Sequence, residues 1–235
     1  MGLLDNIAPL ARLGRRSALQ RSYDTVAEAY VENIYHELDE KPADRRLLDT
    51  FAESLQGAGR CVDLGCGPGH ITRYLHERGV DIEGIDISRA MLQQAHKLNP
   101  GISFSQGDMR ALKADDDQWS AAIALYSIIH IEPAELMRTL LEWQRVLKPG
   151  GRLLFGFHVG MDKQHLDTWW DHSVDLDFHY YRTTDMLVNL QQAGFAEVSV
   201  LGRPPYPQEA QTRRGYILAE ALPGIPATRR RITGG

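Results

Sequence analysis

Cys61-Val62-Asp63-Leu64-Gly65-Cys66-Gly67-Pro68-Gly69-His70 is the stretch that decides the fold. The apolar run Cys61 to Leu64 has the length of a buried strand, and glycines follow at alternate positions, 65, 67 and 69. Ile71 to Arg78 then carries apolar residues at helical spacing and stops at Gly79, a residue suited to a helix C-cap. Strand, glycine turn and helix in this order leave side-chain-free backbone where a ligand can approach. The first N–H groups of the helix add donors beside it. The spacing is G-x-G-x-G, not the G-x-G-x-x-G of a dinucleotide fold. Asp63 stands two residues before Gly65 and suits a cationic or amine-bearing ligand better than a pyrophosphate.

Working outward, the same alternation continues. Val80 to Ile85 is a second apolar run, ending at Asp86, and Ser88 is placed to cap a helix over Arg89 to Leu98. Asn99-Pro100-Gly101 turns the chain into a strand over Ile102 to Ser105, closed by Gly107-Asp108-Met109. Trp119 to Leu125 reads as a further buried strand, Pro133 to Leu147 as a helix, Lys148-Pro149-Gly150-Gly151 as a turn and Arg152 to Phe157 as the next strand. Gly160 to Tyr181, rich in aromatic, histidine and acidic residues, is expected to be an inserted helix and loop. Thr184 to Gln192 reads as a helix capped by Gly194, and Ala196 to Leu201 and Tyr216 to Ala221 as closing strands. Strands alternating with helices imply a parallel sheet covered on both faces.

Upstream, Leu3, Leu4, Ile7, Leu10 and Leu13 with Arg12, Arg15 and Arg16 read as an amphipathic helix lying on the domain or on a second copy, consistent with a homodimer. Tyr23, Val26 and Tyr30 share one helical face, and Pro42 opens a helix that ends near Gly57. The chain has 235 residues, enough for one α/β domain with additions, and its 26 basic and 31 acidic residues give a net charge of −5. That balance offers no nucleic-acid or membrane surface, and the one dense basic run, Arg229-Arg230-Arg231, reads as a solvated tail. No run of about 18 apolar residues is present to span a bilayer. Cys61 and Cys66 are too close together to act as a useful staple, so both are read as reduced thiols in a cytoplasmic protein.

Asp63-Leu64-Gly65-Cys66-Gly67-Pro68-Gly69 resembles motif I of the class I S-adenosylmethionine-dependent methyltransferases. The K-P-G-G turn, the two final strands and the Y-D-x-x-A-x-x-Y segment from Tyr23 to Tyr30 are similar to features of that family. The resemblance covers about Gly59 to Ala221. It implies a Rossmann-like, doubly wound, seven-stranded sheet, mostly parallel with an antiparallel last strand, plus an N-terminal helical lid. In domain terms, residues 1–57 are N-terminal helices and lid and 58–235 the methyltransferase domain, with an acceptor-pocket insert at about 159–182. The implied cofactor is S-adenosylmethionine, leaving S-adenosylhomocysteine after methyl transfer to oxygen, nitrogen or sulfur of a small molecule.

On this resemblance the cofactor-binding set is Tyr23, Tyr30, Asp63, Gly65, Cys66, Gly67, Asp86, Ile87, Met91, Gly107, Asp108, Met109 and Tyr126. Asp86 is expected to take the ribose hydroxyls, Asp108 the adenine amino group and Asp63 the methionine amino group. Tyr126 and His130, at the exit of the fourth strand, are the candidate catalytic residues. His130 is the candidate base because an imidazole titrates near working pH. Neither an Asp/Asn-Pro-Pro-Tyr/Phe run nor a Pro-Cys nucleophile is present, which disfavours nucleic-acid methylation. The histidines and acids of the insert lack a clean metal-ligand spacing, and no metal is expected. Arg213 and Arg214 read as solvated loop residues, with a hold on an acceptor carboxylate or phosphate as the alternative. A nicotinamide-dependent oxidoreductase and a non-catalytic cofactor-binding module are the rival readings.

Overall fold

A strand that is apolar on both faces can be buried only between two layers of helix. The computed structural model describes residues 3–223 and has that layering. In chain order its helices are α1 (Leu3–Ile34), α2 (Pro42–Ser54), α3 (His70–His76), α4 (Arg89–Leu98), α5 (Pro133–Val146) and α6 (Thr183–Gln192). The strands are β1 (Cys61–Leu64), β2 (Ile82–Asp86), β3 (Ser103–Gln106), β4 (Trp119–Leu125), β5 (Leu147–Val159), β6 (Lys163–Trp169), β7 (His172–His179), β8 (Phe195–Arg203) and β9 (Arg213–Ala221). Seven of them form one sheet in the order β3-β2-β1-β4-β5-β9-β8. Strands β1 to β5 pair in parallel, and β9 runs antiparallel to both β5 and β8. The expected fold class is thus the observed one.

Alternate residues of the central strands feed two cores. Ala122 and Ala124 of β4 and Leu153, Phe155 and Phe157 of β5 pack with Leu140 and Trp143 of α5. Ala121, Ile123 and Leu154 point the other way, to Leu48 and Phe51 of α2 and Leu75 of α3. The small residues of β4 let α5 approach closely, so the large rings of Trp143 and Phe155 fill the layer, 6.3 Å apart.

Three local expectations need correction. The K-P-G-G segment is not a turn ahead of β5. It is a bulge inside that strand, because Leu147 already pairs with Trp119 before the register shifts to Ala121 and Arg152. The leader and the lid segment are one continuous helix, α1; the leader's apolar side chains, Leu3 to Leu13, and the tail Arg229-Arg230-Arg231 lie outside the side chains described.

The third concerns the insert, which is no helix. It is the antiparallel hairpin β6–β7, with Trp169 paired to His172. Val174, Leu176 and Phe178 alternate with Asp175 and Asp177 in β7, a period of two that the density of histidine and aromatic residues masked. Trp170 and Asp171 form its two-residue turn with φ of +47° and +62°. Positive φ at both central positions is the mark of a type I′ turn, which favours Asn or Gly. Asp171 is exposed. Asp171→Gly is therefore expected to raise stability by about 0.5–1 kcal/mol, read as a higher urea midpoint; a lower midpoint would show that the turn carries no strain.

Candidate active site

The carboxyl ends of β1, β2 and β4, with the segments that follow β3 and β4, converge on one crevice. After β1 the chain reverses through Gly65, Gly67 and Gly69, with φ of +78°, +54° and +81°. A Cβ on Gly65 would stand 2.4 Å from Cβ of Ser127, whereas one on Gly67 would meet nothing within 4 Å. The first glycine is therefore demanded by packing and the second leaves open space. Gly67 N–H donates to Oδ2 of Asp86 at 2.8 Å, and Ser88 N–H donates to Oδ1 at 2.8 Å. The Ser88 hydroxyl accepts from Met91 N–H as the N-cap of α4 and donates to Asp24 of α1 at 2.6 Å. Asp63 accepts from the Thr72 hydroxyl at 2.7 Å. Asp108 accepts from Nε of Arg110 at 2.8 Å, and Arg110 is held in turn by Glu135.

These residues enclose two adjoining spaces. A narrow cleft is lined by Gly65, Gly67, Asp86, Ile87, Met91, Gly107, Asp108 and Met109, with Tyr23, Tyr30, Tyr126 and His130 over it. A wider cavity of about 800 Å³ lies beside it, bounded by Asp63, Cys66 and His70 at one end and by His158, Trp169, Trp170, Tyr180 and Arg214 at the other. Tyr23, Tyr30, Gly65, Gly67, Leu125 and Tyr126 belong to both walls. Every site residue expected from the sequence borders one space or the other.

Helix α1 closes over the crevice through aromatic contacts with the hairpin. Tyr30 meets Trp169 and Trp170 edge-on at 5.8 and 5.9 Å, and the two indoles stack at 4.3 Å. Tyr23 OH lies 2.6 Å from Nε2 of His130, whose Nδ1 lies 3.0 Å from the carbonyl oxygen of Asp177. A carbonyl only accepts, so Nδ1 carries the proton and Nε2 accepts from Tyr23. The nitrogen wanted for a base is thus engaged by the lid.

Residues 61–151 match the family described as Methyltransferase domain. An uncharacterized methyltransferase of Geobacillus kaustophilus is 28% identical over 180 residues, spanning 72% of this chain and 81% of its own. The trans-aconitate 2-methyltransferase of Mycobacterium tuberculosis is 40% identical over 98 residues, 41% of this chain and 36% of that one. The solved 1,6-didemethyltoxoflavin-N1-methyltransferase of Burkholderia thailandensis, with 1,6-didemethyltoxoflavin and S-adenosylhomocysteine bound, shares the fold. Its TM-score is 0.65 at 16% identity, covering 95% of this chain and 92% of that one. Together these make the chain an S-adenosylmethionine-dependent methyltransferase with the class I fold. The nicotinamide and silent-module readings are set aside with that assignment.

The methyltransferase buries its charges unevenly. Burial pushes the carboxyls of Asp63 and Asp86 up to about 6, although donors from Thr72, Ser88 and Gly67 oppose it. Neither has an ion-pair partner among the described residues. Burial pulls His130 down to about 4, and burial with the nearby Arg214 charge pulls His158 down to about 3, so both imidazoles stay neutral. Glu37 goes the other way. Burial would raise it, but hydrogen bonds to His70 and Lys41 outweigh that and bring it to about 2. His70 Nε2 faces Glu37 at 3.1 Å, while its buried Nδ1 has no partner among the described residues. This donor and acceptor set suits S-adenosylmethionine: two carboxylates without cations, an orphaned imidazole nitrogen and an open glycine.

Several residues of the site escaped sequence reasoning. Thr72 and Arg110 act on Asp63 and Asp108 with no motif to mark them. Asp24, though it is the acid of the Y-D-x-x-A-x-x-Y segment, is given no role by that resemblance; it acts on Asp86 through Ser88. Tyr216 bonds the hydroxyl of Tyr126 and passes to Asp44, joining β9 to α2. Tyr126 itself has φ of +55°, a strained conformation for a bulky side chain. Among the described residues, no group of three or more His, Cys, Asp or Glu is arranged to hold a metal ion. The two glycines generate a paired test. Gly65→Ala should lose about 2–4 kcal/mol of stability through positive φ and overpacking. Gly67→Ala should lose only about 1–2 kcal/mol yet impair S-adenosylhomocysteine binding. Equal losses in denaturant titrations would show that the loop is not shaped this way.

Proposed function

We propose that this methyltransferase moves a methyl group to oxygen, nitrogen or sulfur of a small-molecule acceptor by in-line displacement. The observation that carries this reading is the shared wall: a cleft beside the glycine loop opens into an aromatic cavity at Tyr23, Tyr30 and Tyr126. The small-molecule acceptors named for the Burkholderia and Mycobacterium proteins support it. When bound, S-adenosylmethionine supplies a sulfonium-activated methyl group.

In this reading Gly65, Cys66, Gly67, Ile87, Met91, Gly107 and Met109 shape the cofactor cleft. Asp86 accepts from ribose hydroxyls, Asp108 from the adenine amino group, and Asp63 from the methionine ammonium. Residues 1–57 supply the N-terminal helices and the lid of the 58–235 domain, and the 159–182 insert is the chamber wall. Tyr23 and Tyr30 exclude water, and Tyr126 positions the acceptor. We assign His130 to holding the lid through Tyr23 in preference to base catalysis, because both its ring nitrogens are engaged. Positioning is an adequate source of rate here, since oriented intramolecular reactions reach effective molarities of about 10⁵–10⁸ M.

Two measurements test this. Calorimetry with S-adenosylhomocysteine should give micromolar-range binding that Asp86→Ala abolishes; wild-type protein that fails to bind removes the reading. The second is pH dependence. With Asp63 and Asp86 near 6, protons occupy them as pH falls through 6 and must leave for Asp63 to pair the ligand ammonium and for Asp86 to accept from both ribose hydroxyls. Affinity should therefore be constant above pH 7 and weaken between 6 and 5. A flat affinity across that window would exclude ionised Asp63 and Asp86 as the groups that receive the ligand.

A further inference from the structure

Arg213 and Arg214 are neighbours in sequence and opposites in the fold. Arg213 is exposed, whereas Arg214 keeps only 4% of its surface accessible and borders the wide cavity. The side chain is fixed from one edge: Nη1 donates to the carbonyl oxygen and the hydroxyl of Thr212 at 2.5 and 2.6 Å. The guanidinium carbon lies 5.7 Å from the ring centre of Tyr126, at the wall shared with the cofactor cleft.

What Arg214 lacks is a hydrogen-bonded carboxylate. The nearest, Glu209, stands 3.7 Å from Nη2, beyond hydrogen-bond range. Glu209 is already engaged by both terminal nitrogens of Arg203 at 2.6 and 2.9 Å, by Lys41 at 2.8 Å and by Tyr206 N–H at 2.9 Å. Arg203 and Lys41 have further carboxylates of their own, Asp44 at 2.9 Å and Glu37. In this cluster only Arg214 donates to no carboxylate. A guanidinium buried in that condition is a costly arrangement unless something enters the cavity to meet its remaining N–H groups.

We propose that the acceptor carries a carboxylate and that Arg214 anchors it, with the acceptor's apolar body against Trp169, Trp170 and Tyr180. This rests on reading the wide cavity as the acceptor chamber. A carboxylate matches the planar fork of the guanidinium and brings less negative charge past Glu209 than a phosphate dianion does. The stacked indoles offer a flat apolar face, so an arylalkyl acid matches the wall. His158 on the same wall is held neutral and weakly basic by burial and the Arg214 charge, which agrees with an acceptor that arrives already ionised.

The test is calorimetry of the full chain, with and without S-adenosylhomocysteine, against benzoate and 3-phenylpropanoate and their amides. Wild type should bind at least one acid at least about tenfold more tightly than its amide. Arg214→Met should lose that preference while its S-adenosylhomocysteine affinity stays unchanged. Should Arg214→Met fail to fold, Arg214→Lys keeps a charge without the fork and should retain part of the preference. Amides that match the acids, acids that do not bind at all, or variants as selective as wild type would each overturn the proposal. Loss of S-adenosylhomocysteine binding by wild type alone would strike the cofactor reading instead, because the acids are also titrated without it.

Discussion

The carboxylate of Asp86 is the constraint on which the site depends. One oxygen accepts from Gly67 and fixes the glycine loop; the other accepts from Ser88 and fixes the start of α4. From Ser88 the chain of bonds runs to Asp24, so the docking of α1 depends on the same group. The glycine loop, the start of α4 and the docking of α1 are thus set by one buried charge. Its cost is visible in the raised pKa of about 6. Because backbone donors satisfy it and no cation among the described residues neutralises it, its field still reaches the cleft.

That interaction also explains what could be read in advance. Asp86, Ser88 and the glycines act through backbone geometry, and backbone demands leave a residue-type signature: glycine for positive φ, serine at an N-cap, an acid at a strand end. The seven strands and six helices were legible for the same reason, with apolar runs and caps marking most of their ends. The hairpin was not, because its alternation is confined to three residues of β7 and its turn uses Trp170 where Asn or Gly would announce a reversal. The pairing of Tyr126 with Tyr216, and of Arg203 with Glu209, was hidden for another reason. Such side-chain pairs are joined only by register, and one sequence holds no signal for which distant side chains will meet. Arg214 was misread as a solvated loop residue because β9 begins earlier than its apolar run does.

Strain collects on the wall of the wide cavity. Tyr126 and Trp170 both hold φ values that bulky residues avoid, and both stand on the wall of the wide cavity. Each is restrained by its surroundings, Tyr126 by Tyr216 and Trp170 by the stack on Trp169 and the edge of Tyr30. Tertiary contacts therefore override local preference where rings are aimed into the chamber. The lid shares in this, since Tyr30 meets the same two indoles. The position of α1 and the shape of the hairpin turn are therefore coupled through these ring contacts.

The crevice is electrically divided along its length. At the glycine-loop end stand two carboxylates with no ion-pair partner among the described residues; at the β9 end stands a guanidinium with no hydrogen-bonded carboxylate. Under the proposed acceptor reading, burial keeps solvent from levelling that difference, and ligand charge is favoured in one orientation, positive toward the loop and negative toward Arg214. The reverse orientation sets like charges together, which costs several kcal/mol in such surroundings. The aromatic wall contributes area and water exclusion but little direction, because a ring face accepts a ligand in many rotations about its normal. Orientation in this site therefore comes from its charges and closeness from its rings. The two are supplied by different elements, the charges by β1, β2 and β9 and the rings by α1 and the hairpin.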